Sequence, residues 1–248
     1  MPSGKPKIQD RTSAKPDPQS PRQNHLLAAL PAAVYRRLLP YLEPVALPLG
    51  QILFPPMARI QYAYFPTTSV VGLSYAIDKG GSANAWPVGS EGAVGLSSLT
   101  GPVRNERAEV QIAGHGFRLA VRFLRAEFRR GGAFQQLLLR YLQALIAKVS
   151  QLGVCNQHHT LDERLCRFLL RAFDRARANE LTITQQTTAD LLGVRRVGVT
   201  EAAGHLQRAG IIRCGRGSVT LLSRRKLEAR SCACYAAIKK EFDGLLAG

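Results

Sequence analysis

The sequence lacks the features of several other protein classes. No apolar run approaches the ~18–20 residues of a membrane-spanning helix, and the first 23 residues, MPSGKPKIQDRTSAKPDPQSPRQ, contain no apolar segment of the secretory-signal type. No P-loop, G-x-S-x-G, H-E-x-x-H or G-x-G-x-x-G motif occurs. We therefore expect a soluble, cytoplasmic protein without a membrane partner, and nothing in the motifs supports an enzyme.

Cysteine is missing from the first 154 residues, and the five that follow are Cys155, Cys166, Cys214, Cys232 and Cys234. An odd number without an export signal favours reduced thiols. Cys232 and Cys234, with Cys214 or His205 nearby, could hold a metal or form a redox pair. However, two cysteines at i and i+2 of a helix face different ways, so we interpret them as buried thiols and predict no metal site. For Cys155 with His158 and His159 we expect ordinary packing at a hinge.

Acidic residues are also scarce, with 17 Asp and Glu against 34 Lys and Arg. The formal charge is +17 and the isoelectric point about 10.4. Such a balance favours a polyanionic partner, either nucleic acid or, on charge alone, a membrane surface.

Changes in composition and in the apolar pattern along the chain predict an α+β protein with separate domains. Residues 1–22 are polar and Pro-rich, which predicts a disordered tail. A helical stretch, LLAALPAAVYRRLLPYL, follows, with Pro31 as a break. From about Val45 to Val121, short β-prone runs alternate with turn signals, as in QILFPP, IQYAYFP, SVVGLSYAI, ANAWPVG, AEVQIAG and GFRLAV. This spacing predicts a β domain over 23–130, either a barrel or a double-sheet jelly roll.

The strongest helix signal lies in AFQQLLLRYLQALIAKVSQLGV, residues 133–154. Its apolar side chains alternate at spacings of four and three, the pattern of a helix that packs lengthwise against another. We therefore predict a dimerisation helix over 131–159 and a homodimer. The predicted seam comprises Leu138, Leu142, Leu145, Val149 and Leu152.

The C-terminal part, residues 160–248, has the signals of a winged helix-turn-helix. Thr160 and Glu163 form a T-x-x-E capping box, Thr184 is a candidate N-cap, and Gly193 can close one helix and turn into the next. A hairpin around Gly215-Arg216-Gly217 follows. Between positions 195 and 230 the sequence has nine basic residues and two acidic ones. Basic charge around an element that enters a major groove predicts double-stranded DNA as the partner.

On these residues the chain resembles the Crp/Fnr family of bacterial transcription regulators, over about 24–240. The specific part is ITQQTTADLLGVRRVGVTEAAGHLQRAGII, together with LEARSCACY, which is similar to a proteobacterial branch. The resemblance implies a cyclic-nucleotide-binding-like β-roll, a dimer helix and a DNA-binding domain that acts on operators, with RNA polymerase as a further candidate partner.

The resemblance also implies roles in the DNA complex. Arg196 matches a guanine-reading arginine, while Val197 and Glu201 match the next two base-facing positions. Thr184 and Gln186 match positions that contact the backbone. The full predicted DNA-binding set is Thr184, Gln186, Arg195, Arg196, Val197, Gly198, Thr200, Glu201 and Arg216, with Gly198 allowing close approach to a phosphate or base edge.

In the β-roll, the sequence departs from members that bind cyclic nucleotides. Ala93 stands where they carry the glutamate for the ribose, and Glu106 where they carry the arginine for the phosphate, with Arg107 displaced by one. An anionic phosphate beside Glu106 would be repelled, which argues against classical cyclic AMP binding. The predicted effector pocket is Gly92, Ala93, Val94, Gly95, Glu106 and Arg107. The cysteine positions argue against the family's N-terminal iron–sulfur cluster. A haem would need an iron ligand in the β region, where His115 is the only histidine between Val45 and Val121, and we interpret it as a loop residue.

These observations predict a homodimeric, sequence-specific DNA-binding transcription regulator with an unidentified small-molecule effector and no identified cofactor. Three alternatives stay open: a regulator that does respond to a cyclic nucleotide, a ligand-binding module with a vestigial DNA domain, and a nonspecific, nucleoid-type DNA-binding protein.

Overall fold

The computed structural model describes residues 20–76, 82–101, 105–176 and 178–246. Most of the predicted tail, residues 1–19, lies outside the described residues. The last two residues of the predicted tail are instead part of a 3₁₀ helix, Pro21–Gln23. Ser20 Oγ accepts a hydrogen bond from the Arg22 amide, and the Arg22 guanidinium lies 4.5 Å from the Tyr35 ring centre.

The predicted N-terminal helical stretch forms two short helices, α1 (His25–Ala28) and α2 (Ala32–Leu38). Pro31 is the N-cap of α2, which confirms the predicted break. Asn24 caps α1 by accepting from the amides of Leu26 and Leu27. None of the helices in the described ranges has the length and apolar content to cross a bilayer.

In the described part of this domain, seven strands form two antiparallel sheets that enclose an apolar core, as expected for a β-roll. One sheet has the order β1-β7-β3 and the other β2-β6-β4-β5. All six β-prone runs contain a strand, but β1 was not predicted, because two prolines flank its short apolar core. The strands are β1 (Leu42–Leu47), β2 (Ile52–Phe54), β3 (Tyr62–Pro66), β4 (Val70–Ala76), β5 (Ser82–Val88), β6 (Glu106–Ile112) and β7 (Gly114–Ala120).

Three helices connect the β-roll with the rest of the chain. These are α3 (Val121–Arg130), α4 (Ala133–His158) and the C-terminal α9 (Cys234–Leu246). One face of α4 is buried against the β-roll and α9 through Leu137, Leu138, Tyr141 and Ala144. The ring of Phe242, on α9, lies edge-on to Tyr141 at 6.2 Å.

The C-terminal domain has the predicted winged helix-turn-helix topology. Its sheet has the order β8-β10-β9, and its helices enclose a second apolar core, to which Val70 and Ile112 of the β-roll also belong. The capping box is confirmed, since the Thr160 amide donates to Glu163 Oε2 at 2.9 Å. The elements are α5 (Leu161–Ala176), β8 (Glu180–Thr182), α6 (Gln185–Leu192), α7 (Arg196–Arg208), β9 (Ile212–Gly215), β10 (Ser218–Leu221) and α8 (Arg224–Ala229).

Candidate nucleic-acid interface

The turn between α6 and α7 is set by Gly193. Its φ of 65° lies in the left-handed region that favours glycine, and it ends α6 as the C-cap. The Val194 amide donates to the Ala189 carbonyl at 3.0 Å, which closes the turn. At the other end of α6, Thr184 Oγ1 accepts from the Thr187 amide at 3.0 Å. The two helices of the motif are therefore fixed at both ends of α6.

The N-terminal turn of α7 presents its charged side chains to solvent. Arg195 is the N-cap residue without a side-chain cap bond, and it and Arg196 are exposed. In the described part of the chain, neither arginine forms an ion pair. Two unpaired guanidinium groups at the positive end of a helix macrodipole are unfavourable by themselves, and a polyanion would relieve this repulsion.

Other predicted side chains on α7 and α6 are exposed on the same motif. Val197 is 61% exposed, and Glu201 and Gln186 are exposed too. Thr200 donates to Gln185 Oε1 at 2.7 Å, so it joins α7 to α6 as well as facing solvent. Gln186 donates to Asp190 along α6. Whether these groups contact DNA stays a prediction.

Gly198 lies close to the start of α5. A Cβ atom at this position would come within 2.9 Å of Leu161 Cδ2, so a larger residue would require that leucine side chain to shift. Whether Gly198 also allows close approach to a phosphate or base edge stays a prediction.

The wing brings a further cation to the same surface. Arg216 is exposed at the tip of the β9–β10 hairpin, beside Gly217 with a φ of 73°. A Cβ on Gly217 would lie 4.0 Å from the methyl group of Thr184. The hairpin tip and the N-terminus of α6 thus lie side by side.

The β-roll contains a cavity of about 210 Å³ at the predicted effector position. Ala93, Gly95 and Glu106 line it, together with apolar side chains and α4 residue Tyr141. Glu106 is buried and accepts from Ser97 Oγ at 2.7 Å, and burial raises the pKa of its carboxyl despite that bond. The ionisable group that Glu106 presents to the cavity is therefore a carboxyl, which is negative when ionised.

Three other predicted pocket residues do not face that cavity as expected. Arg107 lies on the opposite face of β6 and pairs with Glu109 at 2.6 Å, because side chains alternate along a strand. Val94 is fully buried in the core between the sheets. Gly92 lies against Tyr141, and a Cβ atom at position 92 would collide with the Tyr141 hydroxyl.

The exposed seam of α4 differs from the predicted one. Leu138 is buried in the intramolecular core, and Leu145 and Leu152 pack against it, because the β-roll and α9 cover that face. Leu142 and Val149 are exposed by 41% and 42%, as a seam requires. The exposed apolar stripe at heptad spacing is Leu139, Leu142, Ile146 and Val149.

A buried ion cluster that was not predicted from the sequence joins the β-roll to the C-terminal domain. Glu91, from the β-roll, accepts from Arg175 Nε at 2.7 Å and lies 3.7 Å from Arg171. Lys148 of α4 donates to the Pro87 carbonyl at 3.2 Å. Burial by itself would raise the pKa of Glu91, but Arg175, Arg171 and Lys148 outweigh it and lower the pKa to about 2.

Four potential metal ligands lie together at the hinge at the end of α4. The sequence predicts no contact between the Cys232–Cys234 pair and the group around Cys155. Cys155, His159, Cys232 and Cys234 place their ligand atoms within 4.8 Å of one another. Cys232 and Cys234 are buried, as predicted, but the premise that they share a helix is wrong, because Cys232 precedes α9 and only Cys234 lies on it. Burial raises the pKa of the Cys155 thiol to about 12, while the charge of Arg167 acts in the opposite direction.

The comparisons agree with this architecture. Residues 163–230 match the family of Crp-like helix-turn-helix domains. A candidate transcriptional regulator of the Crp/Fnr family from Eubacterium rectale ATCC 33656 has a TM-score of 0.64 at 18% identity, covering 84% of this chain and 98% of its own. FixK2 from Bradyrhizobium japonicum gives 0.60 at 20% identity, with 77% and 98% covered. A CRP/FNR-family transcriptional regulator from Thermus thermophilus gives 0.56 at 22%, with 76% and 98% covered. A comparison with curated proteins found no match.

A β-roll joined through a long helix to a winged helix defines a class of two-domain proteins that carry a DNA-binding module. Within that class, this chain has the fold of the Crp/Fnr transcription regulators, and its residues 163–230 are a Crp-like helix-turn-helix domain.

Proposed function

We propose that the protein is a cytoplasmic, homodimeric transcription regulator that recognises specific operator sequences. Each protomer would insert α7 into the major groove, and the two half-sites would lie about one helical turn, ~34 Å, apart. The observation that carries this proposal is the exposed Arg195–Arg196 pair at the start of α7, which has no ion-pair partner among the described residues, together with the exposed Arg216 at the wing tip.

A second copy of the chain fits the apolar stripe of α4. Four large side chains between 41% and 68% exposed recur at spacings of three, four and three on a helix of 26 residues. Two such stripes related by a two-fold axis bury each other, as in a coiled coil. Dimer formation on this stripe would present two α7 helices to one duplex.

The experiment that tests the function is selection of bound fragments from a random DNA duplex pool at ~150 mM salt. We expect the wild-type protein to enrich a palindromic motif with guanine at a fixed half-site position. Arg196→Ala removes the bidentate donor to guanine, so that position should lose its preference. Arg129→Ala, which removes one exposed arginine from α3, is the matched control and should retain the motif.

Two outcomes would contradict the proposal. Strong binding without any enriched motif would favour the nonspecific DNA-binding protein. Absence of enrichment both with and without added cyclic nucleotides, together with tight binding of a small molecule that leaves DNA affinity unchanged, would favour a ligand-binding module. Enrichment only with a cyclic nucleotide would support the regulator but overturn our expectation, drawn from Glu106, that the effector is not an anionic phosphate.

A further inference from the structure

The four hinge ligands come from two segments far apart in the chain. Cys155 lies in the last turn of α4, and His159 is the C-cap of that helix. Cys232 lies in the connection between α8 and α9, and Cys234 is the first residue of α9. The three thiols are buried and the imidazole is half-buried, so the group is enclosed on one side and open to solvent on the other.

The distances match those expected for a tetrahedral metal centre. The Cys155 and Cys232 Sγ atoms are 3.6 Å apart, and Cys234 Sγ lies 3.6 Å from His159 Nδ1. For zinc bonds of about 2.3 Å to sulfur and about 2.0–2.1 Å to nitrogen, a regular tetrahedron has S···S edges of about 3.8 Å and S···N edges of about 3.6 Å. The cluster therefore needs only small side-chain shifts to close around an ion.

From this geometry we propose that Cys155, His159, Cys232 and Cys234 bind one soft divalent cation of the Zn²⁺ type. Three thiolates and one imidazole form a closed set of four ligands, as in structural zinc sites. Gln151 supports the site from outside, because its Nε2 donates to Cys234 Sγ at 3.1 Å. Thiolate-rich sites of this kind select zinc over the hard cations magnesium and calcium.

A disulfide accounts for the cluster less well. A disulfide bond is about 2.0 Å long, whereas the Cys155 and Cys232 Sγ atoms are 3.6 Å apart. A Cys155–Cys232 disulfide would also leave Cys234 and His159 facing each other without a common partner. A single ion uses all four groups.

A bound ion would restrict movement of the DNA-binding domain at the hinge. Residues 160–231, which contain the helix-turn-helix and the wing, leave the cluster at His159 and return to it at Cys232. An ion bound here fixes both ends of the DNA-binding domain to the end of α4. Metal occupancy would thereby limit how far that domain can turn relative to the dimer helix.

The test is a Co²⁺ titration of the full-length protein, reduced and stripped of metal. We expect binding of one Co²⁺ per chain, with the thiolate-to-metal charge-transfer absorption and the intense d–d bands of tetrahedral cobalt. Zn²⁺ should displace the cobalt and abolish both signals. Cys234→Ser and Cys232→Ser should each weaken binding by more than the about 10–100-fold that loss of an outer-shell partner costs.

Cys214→Ser and His158→Ala are the matched controls, since both side chains lie outside the cluster, and they should bind cobalt like the wild type. His159→Ala keeps all three thiols and should shift the d–d bands with unchanged far-ultraviolet circular dichroism. This variant separates ligand loss from unfolding.

Three results would overturn the proposal. Five freely titrating thiols in folded protein that binds no cobalt would do so. So would mass-spectrometric detection of a Cys155–Cys232 disulfide in protein that fails to bind metal after reduction. Equal cobalt binding by the wild type and both serine variants of the cluster would place the metal elsewhere.

Discussion

Glu106 is the residue that most affects the chemistry of the β-roll cavity. Burial raises the pKa of its carboxyl above the ordinary value of 4.5, so ionisation is less favourable in the folded than in the unfolded chain. Above pH 4.5 the ionised group therefore reduces stability, and the reduction disappears as the pH falls and the carboxyl becomes protonated in both states. We expect Glu106→Gln to melt at a higher temperature than the wild type at pH 7.

The measurement is thermal unfolding at pH 7 and near pH 4, and the difference between the two proteins should shrink at the lower pH. Glu109→Gln, on the opposite face of the same strand, is the control and should not raise the melting temperature at either pH. A lower melting temperature for Glu106→Gln at pH 7 would mean that the ionised carboxylate stabilises the cavity after all.

At the scale of the element, α4 carries both the intramolecular core and the proposed dimer surface. Ile146 is 68% exposed in the middle of the apolar stripe. Burying such a side chain contributes about 1.5–3 kcal/mol, and each dimer would bury two copies. Ile146→Asp replaces them with two facing charges, so we expect the dimer dissociation constant to rise at least about tenfold.

Analytical ultracentrifugation over a range of concentrations measures this change. Ala126→Asp adds the same charge to an exposed position on a different helix, α3, and should leave the dimer intact. A dimer unaffected by Ile146→Asp would rule out this stripe as the dimer interface.

The elements themselves follow from local signals in the sequence. Apolar period, capping residues and turn glycines predicted every helix of the DNA-binding motif and six of the seven strands of the β-roll. Three residues of the predicted α4 seam, Leu138, Leu145 and Leu152, face the core instead, because the helix has apolar residues on two faces. The exposed stripe has Leu139 and Ile146 beside the correctly predicted Leu142 and Val149. Which face remains exposed depends on α9, which lies about 90 residues further along the chain, and helical period carries no information about that contact.

Contacts between the domains also join residues far apart in the chain, and local sequence patterns do not indicate such pairs. Nothing near Glu91 in the sequence indicates its partner Arg175, and Cys155 is separated from Cys232 by 77 residues. One signal was available: Arg167, Arg171 and Arg175 recur every four residues on α5, a stripe that a buried carboxylate could match. That spacing could have indicated an anionic partner for α5, although not which carboxylate supplies it.

At the scale of the whole molecule, the Glu91 cluster is a buried polar contact between the β-roll and the C-terminal domain. The lowered pKa of Glu91, about 2, means that its ionised form stabilises the folded protein. This contribution is fully present above the ordinary carboxyl pKa of 4.5 and is lost as the pH falls through 4.5 towards 2. Acidification over this window should weaken the contact between the domains.

Glu91→Gln tests this contribution at neutral pH, because it leaves Arg171 and Arg175 buried without an anion. Removing one partner of a buried ion pair costs about 3–5 kcal/mol, so we expect a large loss of stability in urea at pH 7. The loss should become small near pH 2, where the wild-type carboxyl is also protonated. Glu43→Gln removes a carboxylate from an exposed pair with Arg118 and, as the control, should cost no more than about 1 kcal/mol. Equal costs for Glu91→Gln and Glu43→Gln would mean that the buried cluster contributes no more than a surface ion pair, and that apolar packing of α9 on α4 holds the two domains together.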